Sequence, residues 1–472
     1  MNVVERHAIP GGRARKLEEQ GFVFDMGPSW YWMPDVFERY FSNFGKTASS
    51  FYRLRRLDPS YRMYWKDDHW DIPADYEALK TMLEGVEKGS GKKLDGYLAQ
   101  AAYKYKVGMG RLVQKPGQSW REFLDWDLIK GLLKLEVFTS MQRHVARFFT
   151  HEKIRQLLEF PVLFLGALPR DTPALYSLMN YADIRGGTWY PENGMYSVVD
   201  GMFSVAKELG VQFHFRQNAT AISTENKRAT GVTTEQVENG RLSVQHYDAD
   251  VVIASADYHF VETHLLPPAL RSYTDAYWEK KVMAPGCLLF YVGLNKKLKH
   301  ILHHSLFFDV DFDRHGAEIY TTKTWPKDPL FYVCTTSATD ANAAPEGGEN
   351  LFFLIPVAAG LSGDTEALRQ AYFLQIVTRF EQRIGETIRD HIVLMKTFGP
   401  QDFVNEYNAF KGNAYGLANT LFQTAILKPS CRSKKIRNLF YTGQLTVPGP
   451  GVPPSLISGE VVAREVIKQF GT

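Results

Sequence analysis

The stretch that decides the fold is MNVVERHAIPGGRARKLEEQGFVFDMGPSW, residues 1–30. It opens with a short apolar strand that ends on Glu5, and a carboxylate in that place suits the ribose hydroxyls of a nucleotide. Gly12 follows in a Gly-Gly turn, where the missing Cβ lets the backbone approach a ligand closely. Arg13 then offers a rigid fork of donors for a phosphate or a cofactor edge. A second strand leads to Gly27, another point of close approach, so the stretch predicts part of a dinucleotide-binding fold.

The end of the chain carries a second set of such signals. Residues 438–453 read NLFYTGQLTVPGPGVP, a buried strand ending at Gly443 and Gln444 and then a proline-rich approach to a helix. Because proline is tolerated in the first turn of a helix, the helix is predicted to begin near Gly451 and Val452. A helix N-terminus carries about half a positive charge, which favours a ligand that becomes negative.

The two ends together resemble the flavin-dependent amine-oxidase superfamily and, within it, the carotenoid (phytoene) desaturases of the bacterial type. The resemblance implies that the chain binds FAD, with the closing helix facing the pyrimidine edge of the flavin and residues 412–417 over the flavin face. It implies no metal site, and no nucleophile triad or metal-ligand spacing stands out in the sequence. The implied cofactor contacts are Glu5, Gly12, Arg13, Gly27, Ala219, Gly443, Gln444, Gly451 and Val452.

One part of this pattern is missing. In dinucleotide-binding folds a Gly-x-Gly-x-x-Gly turn precedes the ribose acid by about 20 residues, and Glu5 leaves no room for it. Residues 108–110 are no substitute, because they lie in a polar stretch that is predicted to be helical. We therefore expect the chain to begin one strand and one helix late, through a misassigned start or a gene fragment. A degenerate, inactive paralogue is the alternative.

The predicted fold class is α/β. It comprises a doubly wound FAD-binding domain of the Rossmann-like, glutathione-reductase type and an α+β substrate domain with a helical lid, without the first strand and helix. The alternation of strand, helix and strand after residue 186 supports this class. The predicted FAD-binding segments are residues 1–52, 186–256 and 426–472, and the predicted substrate-domain segments are residues 53–185 and 257–425.

Composition limits the class of protein further. The 472 residues are 44% hydrophobic and 23% charged, with a net charge of +3. These values are ordinary for a globular protein and do not indicate nucleic-acid binding. The three cysteines are scattered, so we expect a reducing, cytoplasmic setting without disulfides. No apolar run reaches the roughly 18 residues of a membrane-spanning helix, and the longest runs, residues 160–168 and 351–361, predict buried strands.

Residues 120–149 allow two interpretations. Their Leu, Phe and Trp residues are interspersed with Lys, Arg and His, which suits a helical hairpin packed on the substrate domain. The same pattern suits a face that dips into the membrane interface, and a hydrocarbon substrate keeps this alternative open.

The resemblance also points to two catalytic candidates. Many desaturases of this kind carry an acid and an arginine just before an apolar segment beside the substrate channel. The corresponding residues here are His151 and Arg155. Because a histidine replaces the acid, a surface or helix-capping role stays open for His151. His303 and His304 are interpreted as part of a loop.

The implied function is phytoene desaturation, in which hydride transfer to FAD introduces double bonds into a C40 carotenoid. Such a substrate has no charge to hold, so its binding depends on apolar burial. A later-pathway carotenoid desaturase, a carotene isomerase and an inactive remnant stay open. The implied partners are a phytoene-like hydrocarbon, a quinone or oxygen as electron acceptor, and a membrane surface to which the cytoplasmic protein binds peripherally. No nucleic-acid partner is expected, and the sequence leaves the oligomeric state open.

Overall fold

The computed structural model describes residues 1–119, 122 and 135–471. The segment interpreted as a hairpin or a membrane face therefore lies largely outside the described residues. The strands, numbered along the chain, are β1 (Asn2–Val4), β2 (Lys16–Glu19), β3 (Phe22–Asp25), β4 (Leu54–Arg56), β5 (Tyr61–Tyr64), β6 (His69–Ile72), β7 (Trp189–Pro191), β8 (Gln212–His214), β9 (Asn218–Glu225), β10 (Arg228–Glu238), β11 (Arg241–Asp248), β12 (Val252–Ala254), β13 (Gly286–Leu294), β14 (His304–Phe307), β15 (Phe331–Cys334), β16 (Glu349–Val357), β17 (Ile392–Phe398) and β18 (Leu439–Tyr441).

The α-helices of the described part are numbered in the same way. They are α1 (Pro34–Ser42), α2 (Tyr76–Val86), α3 (Ser90–Val107), α4 (Met141–Ala146), α5 (Glu152–Glu159), α6 (Leu178–Asn180), α7 (Tyr196–Glu208), α8 (Tyr258–Phe260), α9 (Asp275–Glu279), α10 (Phe312–Ala317), α11 (Glu366–Ile384), α12 (Pro400–Tyr407) and α13 (Val452–Phe470). None of them combines the length and the apolar character that crossing a lipid bilayer requires.

Two pairs of short parallel strands carry the ends of the chain. β1 pairs with β8, with Val4 opposite His214, and β12 pairs with β18, with Ala254 opposite Tyr441. The strands predicted at the front and at the tail are thus confirmed. Cofactors bind at the carboxyl ends of parallel strands, and here these ends lead directly into the predicted cofactor residues.

A seven-stranded sheet in the order β17-β13-β16-β15-β14-β5-β6 forms the largest layer. Its neighbouring strands are antiparallel except β14 and β5, which run parallel. All nine residues of β13 are buried. Because side chains alternate between the two faces of a strand, Phe290 joins a core shared with α11, while Tyr291 joins the larger core on the other face. The strands of this sheet come from residues 61–72 and 286–398, inside the predicted substrate-domain segments, whose boundaries stay a prediction.

The prediction of a buried strand over residues 160–168 is wrong. Residues Phe160–Leu165 form a 3-10 helix that continues directly from α5. Pro161 explains the difference, because it has no N–H for a strand ladder and its fixed φ suits the first turn of a helix. Gly166 ends the turn in the left-handed conformation, with φ of 80°. The strand predicted at residues 351–361 is largely confirmed by β16.

A buried charge network joins α3 to α4 in the described part of the lid. Lys104 Nζ donates to Glu136 Oε2 at 2.9 Å and lies 3.3 Å from His144 Nε2. Arg147 also donates to Glu136, at 2.5 Å. Lys104 is fully buried, and burial lowers its pKa. His144 therefore belongs to an internal network, which Arg147, with a side chain 56% exposed, joins from the surface.

Candidate functional site

Arg13 joins the front of the chain to its glycine-rich segment and to its tail. Its Nη1 donates to the carbonyl oxygens of Asn413 at 2.6 Å and Ala414 at 2.9 Å. The carboxamide of Gln444, oriented with its oxygen toward Arg13, accepts from Nη2 at 2.9 Å. We call these four residues the Arg13 junction. Burial lowers the pKa of Arg13, and the nearby Asp257 carboxylate opposes this shift, so the guanidinium is held by a charge as well as by its hydrogen bonds.

Two glycines let the segments of the Arg13 junction touch. A Cβ on Gly27 would lie 2.6 Å from the carbonyl oxygen of Arg13, and a Cβ on Gly416 would lie 2.7 Å from that of Gln444. Gly416 also has a φ of +111°, in the region that only glycine adopts without strain. Gly27, predicted as a point of close approach, therefore approaches the protein's own backbone at Arg13.

Gly12 and Gly443 face open space instead. A Cβ built on either glycine would meet no atom of the described residues within 4 Å. The N–H of Gly443 donates to the hydroxyl of Ser458 at 3.0 Å, which fastens the loop after β18 onto α13. The two glycines thus leave uncovered backbone that a flat or phosphorylated group can approach.

The N-terminus of α13 is uncapped. The helix begins after Gly451, which has a φ of +109° and provides no side-chain cap. Ser455 is inside the helix, where its hydroxyl donates to the Gly451 carbonyl oxygen at 2.8 Å. Val452 packs on the aromatic core around Tyr31 and fixes the start of the helix. Pro453 and Pro454 have no N–H, and the N–H of Ser455 donates to the Gly451 carbonyl oxygen at 3.0 Å. Val452 therefore supplies the first-turn N–H that, with the positive end of the helix and Arg13, fits the edge of a flavin.

Glu5 and Ala219, the predicted adenosine contacts, are connected through Gln217. The N–H of Gln217 donates to the Glu5 carbonyl oxygen at 2.8 Å, and Ala219 lies two residues further along in β9. Glu5 Oε1 accepts from the N–H of His7 at 2.8 Å, so the turn after β1 orients the carboxylate. The structure thus brings these two predicted contacts near each other.

The two catalytic candidates belong to α5: His151 is its N-cap residue, and Arg155 lies within the helix. The N–H of His151 donates to Glu87 at 2.8 Å, and its side chain makes no capping bond. Arg155 lies 3.9 Å from the carboxylate of Glu159. Within the described ranges, no hydrogen bond or ion pair links His151 or Arg155 to the Arg13 junction.

Glu159 is a functional candidate that the sequence reasoning missed. Its side chain is buried, and burial raises its pKa to about 7 against the opposing effect of Arg155. A carboxyl group with such a pKa can exchange a proton near neutral pH. The signal in the sequence is that Glu159 directly precedes the apolar run of residues 160–168.

His303 and His304 are buried. The loop interpretation is right for His303, which lies in a bend, and wrong for His304, which begins β14. His304 Nδ1 lies 2.6 Å from the Tyr332 hydroxyl, and its ring stacks on Trp30 at 4.0 Å between centroids. Burial lowers the pKa of His303 to about 3 and that of His304 well below its ordinary value, so both rings are neutral. The ligand atoms of the two histidines and Cys334 lie within 4.8 Å of one another, a soft donor set that the sequence spacing did not reveal.

Parallel strands that end in glycine turns, with an arginine fork and a bare helix N-terminus around them, define a nucleotide-cofactor enzyme of the α/β class. The chain belongs to the flavin-containing amine oxidoreductase family, which matches residues 1–467. A carotenoid 3,4-desaturase of Haloarcula japonica is 40% identical over 472 residues, covering 100% of this chain and 94% of the relative. A zeta-carotene-forming phytoene desaturase of Myxococcus xanthus is 30% identical over 474 residues, covering 99% of this chain and 89% of the relative.

The fold is also found among solved structures. An oxidoreductase from Methanosarcina mazei superposes with a TM-score of 0.61 at 14% identity, covering 98% of this chain and 94% of that one. The family and the fold confirm the predicted fold class and the predicted FAD cofactor, and the relatives confirm the resemblance to carotenoid desaturases.

Proposed function

We propose that this protein is an FAD-dependent carotenoid desaturase, which removes a hydride and a proton from neighbouring carbons and leaves a new double bond. The observation that carries the proposal is the Arg13 junction, which ties both ends of the chain into one glycine-lined site beside the start of α13. The family membership and the relatives at 40% and 30% identity support it.

Bound FAD supplies the hydride acceptor for this oxidation. Arg13 and the positive N-terminus of α13, with the N–H of Val452, would offer positive charge to the ring edge that becomes negative on reduction. Glu5 would hold the ribose hydroxyls, and Ala219 would contact the adenosine half. Gly443 leaves the ring room, since nothing lies within 4 Å of its missing Cβ.

Trp30, three residues after Gly27, is the proposed wall of the substrate site, and Trp32, Tyr61 and Phe160 lie behind it in the core, each at most 5% exposed. Trp30 lies 5.1 Å from Trp32, 5.4 Å from Tyr61 and 6.2 Å from Phe160 between ring centroids. A hydrocarbon gains about 25 cal/mol for each Å² of apolar surface that such a wall covers.

Among carotenoid desaturations, formation of a 3,4 double bond is the better supported, because the identity to the 3,4-desaturase is 40% and that to the phytoene desaturase is 30%. Phytoene desaturation is the second candidate. Both desaturations yield a product with fewer hydrogen atoms than the substrate. A carotene isomerase or an inactive remnant would yield no such product.

The remaining parts of the proposal concern proton transfer and partners. His151 and Arg155 are proposed to act on the proton that leaves the substrate. A quinone or oxygen reoxidises the flavin. The protein works peripherally at the cytoplasmic face of a membrane, because a long hydrocarbon chain partitions into lipid.

The reaction is tested by incubating the FAD-loaded protein with separate acyclic carotenoids in detergent, with a quinone present. We expect a product that has lost two hydrogen atoms per new double bond and absorbs at longer wavelength. An isomerised product with unchanged mass contradicts the proposal.

The flavin site is tested by Gly443→Ala, with Gly45→Ala as the matched control. Both glycines have positive φ and open space at the missing Cβ, but Gly45 follows α1 and takes part in none of the contacts that build the site. A methyl group that overpacks a bound ring costs about 1–3 kcal/mol, roughly tenfold in affinity. We expect Gly443→Ala alone to weaken FAD binding in fluorescence titrations, and equal affinities for the two variants contradict the assigned site.

A further inference from the structure

A groove outside the flavin site concentrates positive charge. It has a volume of about 840 Å³, and among the described residues it is lined by six cationic side chains and no carboxylate. We call it the cationic groove. Its cationic residues are Lys281, Lys428, Arg432, Lys434, Lys435 and Arg437.

The charge of this groove is largely uncompensated. Among the described residues, only Arg432 of the six forms an ion pair, 3.6 Å from Glu465. Lys434 Nζ instead lies 4.3 Å from the ring centroid of Tyr273, a cation–π contact that leaves its charge in place. Like charges in one groove repel each other, so this arrangement favours an anion between them.

Lys428 is the most constrained of the six. Its side chain is buried, and its Nζ has no hydrogen-bond partner within the part of the chain that the structure describes. Burial and the neighbouring Lys281 lower the pKa of Lys428 to about 7. Its Nζ lies beside Gly449, where an added Cβ would be 3.1 Å away, so Lys428 adds positive charge behind the wall of the groove rather than facing into it.

Apolar side chains at the rim indicate where the anion comes from. Phe422 and Leu427 also line the groove and are 79% and 41% exposed. A polar, cationic interior beside exposed apolar side chains matches the boundary between phosphate headgroups and acyl chains of a membrane. A soluble phosphate would make no use of this apolar rim.

We propose that the cationic groove binds the phosphate headgroup of an anionic membrane lipid, with Phe422 and Leu427 in contact with the acyl boundary. The inference deepens the peripheral membrane binding proposed above and is independent of the flavin chemistry. It attributes membrane binding to the cationic groove rather than to the overall charge of the protein.

The test compares sedimentation with vesicles of phosphatidylcholine alone and of phosphatidylcholine mixed with phosphatidylglycerol. The groove variant combines Lys434→Gln, Lys435→Gln and Arg437→Gln, three exposed positions that form no ion pair in the described residues. The matched control combines Lys66→Gln, Lys88→Gln and Lys92→Gln, which are also exposed and remove the same charge.

We expect the unsubstituted protein and the control to prefer the phosphatidylglycerol vesicles. The groove variant should lose at least about tenfold in affinity, since each cation near an anionic surface contributes to binding. Its flavin content and its activity in detergent should stay unchanged, which separates this proposal from that of the enzymatic function.

Two results overturn the proposal. The first is equal loss of vesicle binding in the groove variant and the control, which would mean that overall charge alone attracts the protein. The second is binding of inorganic phosphate, measured by calorimetry, without preference for the phosphatidylglycerol vesicles. That result would assign the groove to a soluble phosphate instead.

Discussion

The contact between Gly416 and Gln444 can be tested without any ligand, through the stability of the protein. A Cβ on Gly416 would lie 2.7 Å from the carbonyl oxygen of Gln444 and 2.8 Å from its Cβ. These atoms are at or next to the backbone and cannot move aside as the end of a flexible side chain can. Gly416→Ala therefore combines strain at a φ of +111°, worth about 1–3 kcal/mol, with overpacking worth about 1–3 kcal/mol.

Gly443→Ala isolates the strain from the overpacking. Its φ of +102° is nearly the same, but nothing lies within 4 Å of its missing Cβ. Both variants are compared with the unsubstituted protein by urea unfolding with flavin removed. We expect Gly416→Ala to lose about 1–3 kcal/mol more unfolding free energy than Gly443→Ala. Equal losses would refute the close contact between the glycine-rich segment and the tail.

Three further predictions concern buried charges. Burial raises the pKa of Asp183 to about 6, so its ionisation destabilises the folded state. As the pH rises from 4 to 6, the unfolding free energy of the unsubstituted protein should fall by up to about 3 kcal/mol relative to that of Asp183→Asn. Parallel pH profiles of the two proteins would contradict this. Glu136→Gln should lower the free energy of chemical unfolding by about 3 kcal/mol, because Lys104 stays buried and charged without its partner. The double variant with Lys104→Met should recover most of this loss. Arg13→Lys should weaken FAD binding at least about tenfold, whereas Arg53→Lys, at a side chain 83% exposed, should not.

The local elements could be predicted because their signals lie within a few residues. Proline and glycine mark the start of α13, and the apolar run after Glu349 marks β16. The failure at Phe160–Leu165 has the same origin, since the apolar character of the run was weighed above Pro161. Short apolar runs do not distinguish strands from buried helices unless such breakers decide the matter.

The candidate site was predicted only in part, because its contacts join distant residues. Sequence motifs identified Arg13 and Gln444 separately, but not the hydrogen bond between them. The buried state of Glu159 and His304 depends on packing from several segments, which a single sequence does not show. The cationic groove likewise forms from positions 281 and 428–437, which the fold brings together.

The central claim is that one flavin site, held at the Arg13 junction, oxidises a carotenoid. The most direct test mixes the FAD-loaded protein with the carotenoid in the absence of oxygen and quinone, and records flavin absorbance and product together. We predict that one flavin is bleached for each double bond formed. New double bonds without bleaching, or an oxidised flavin with unchanged carotenoid, would contradict the account.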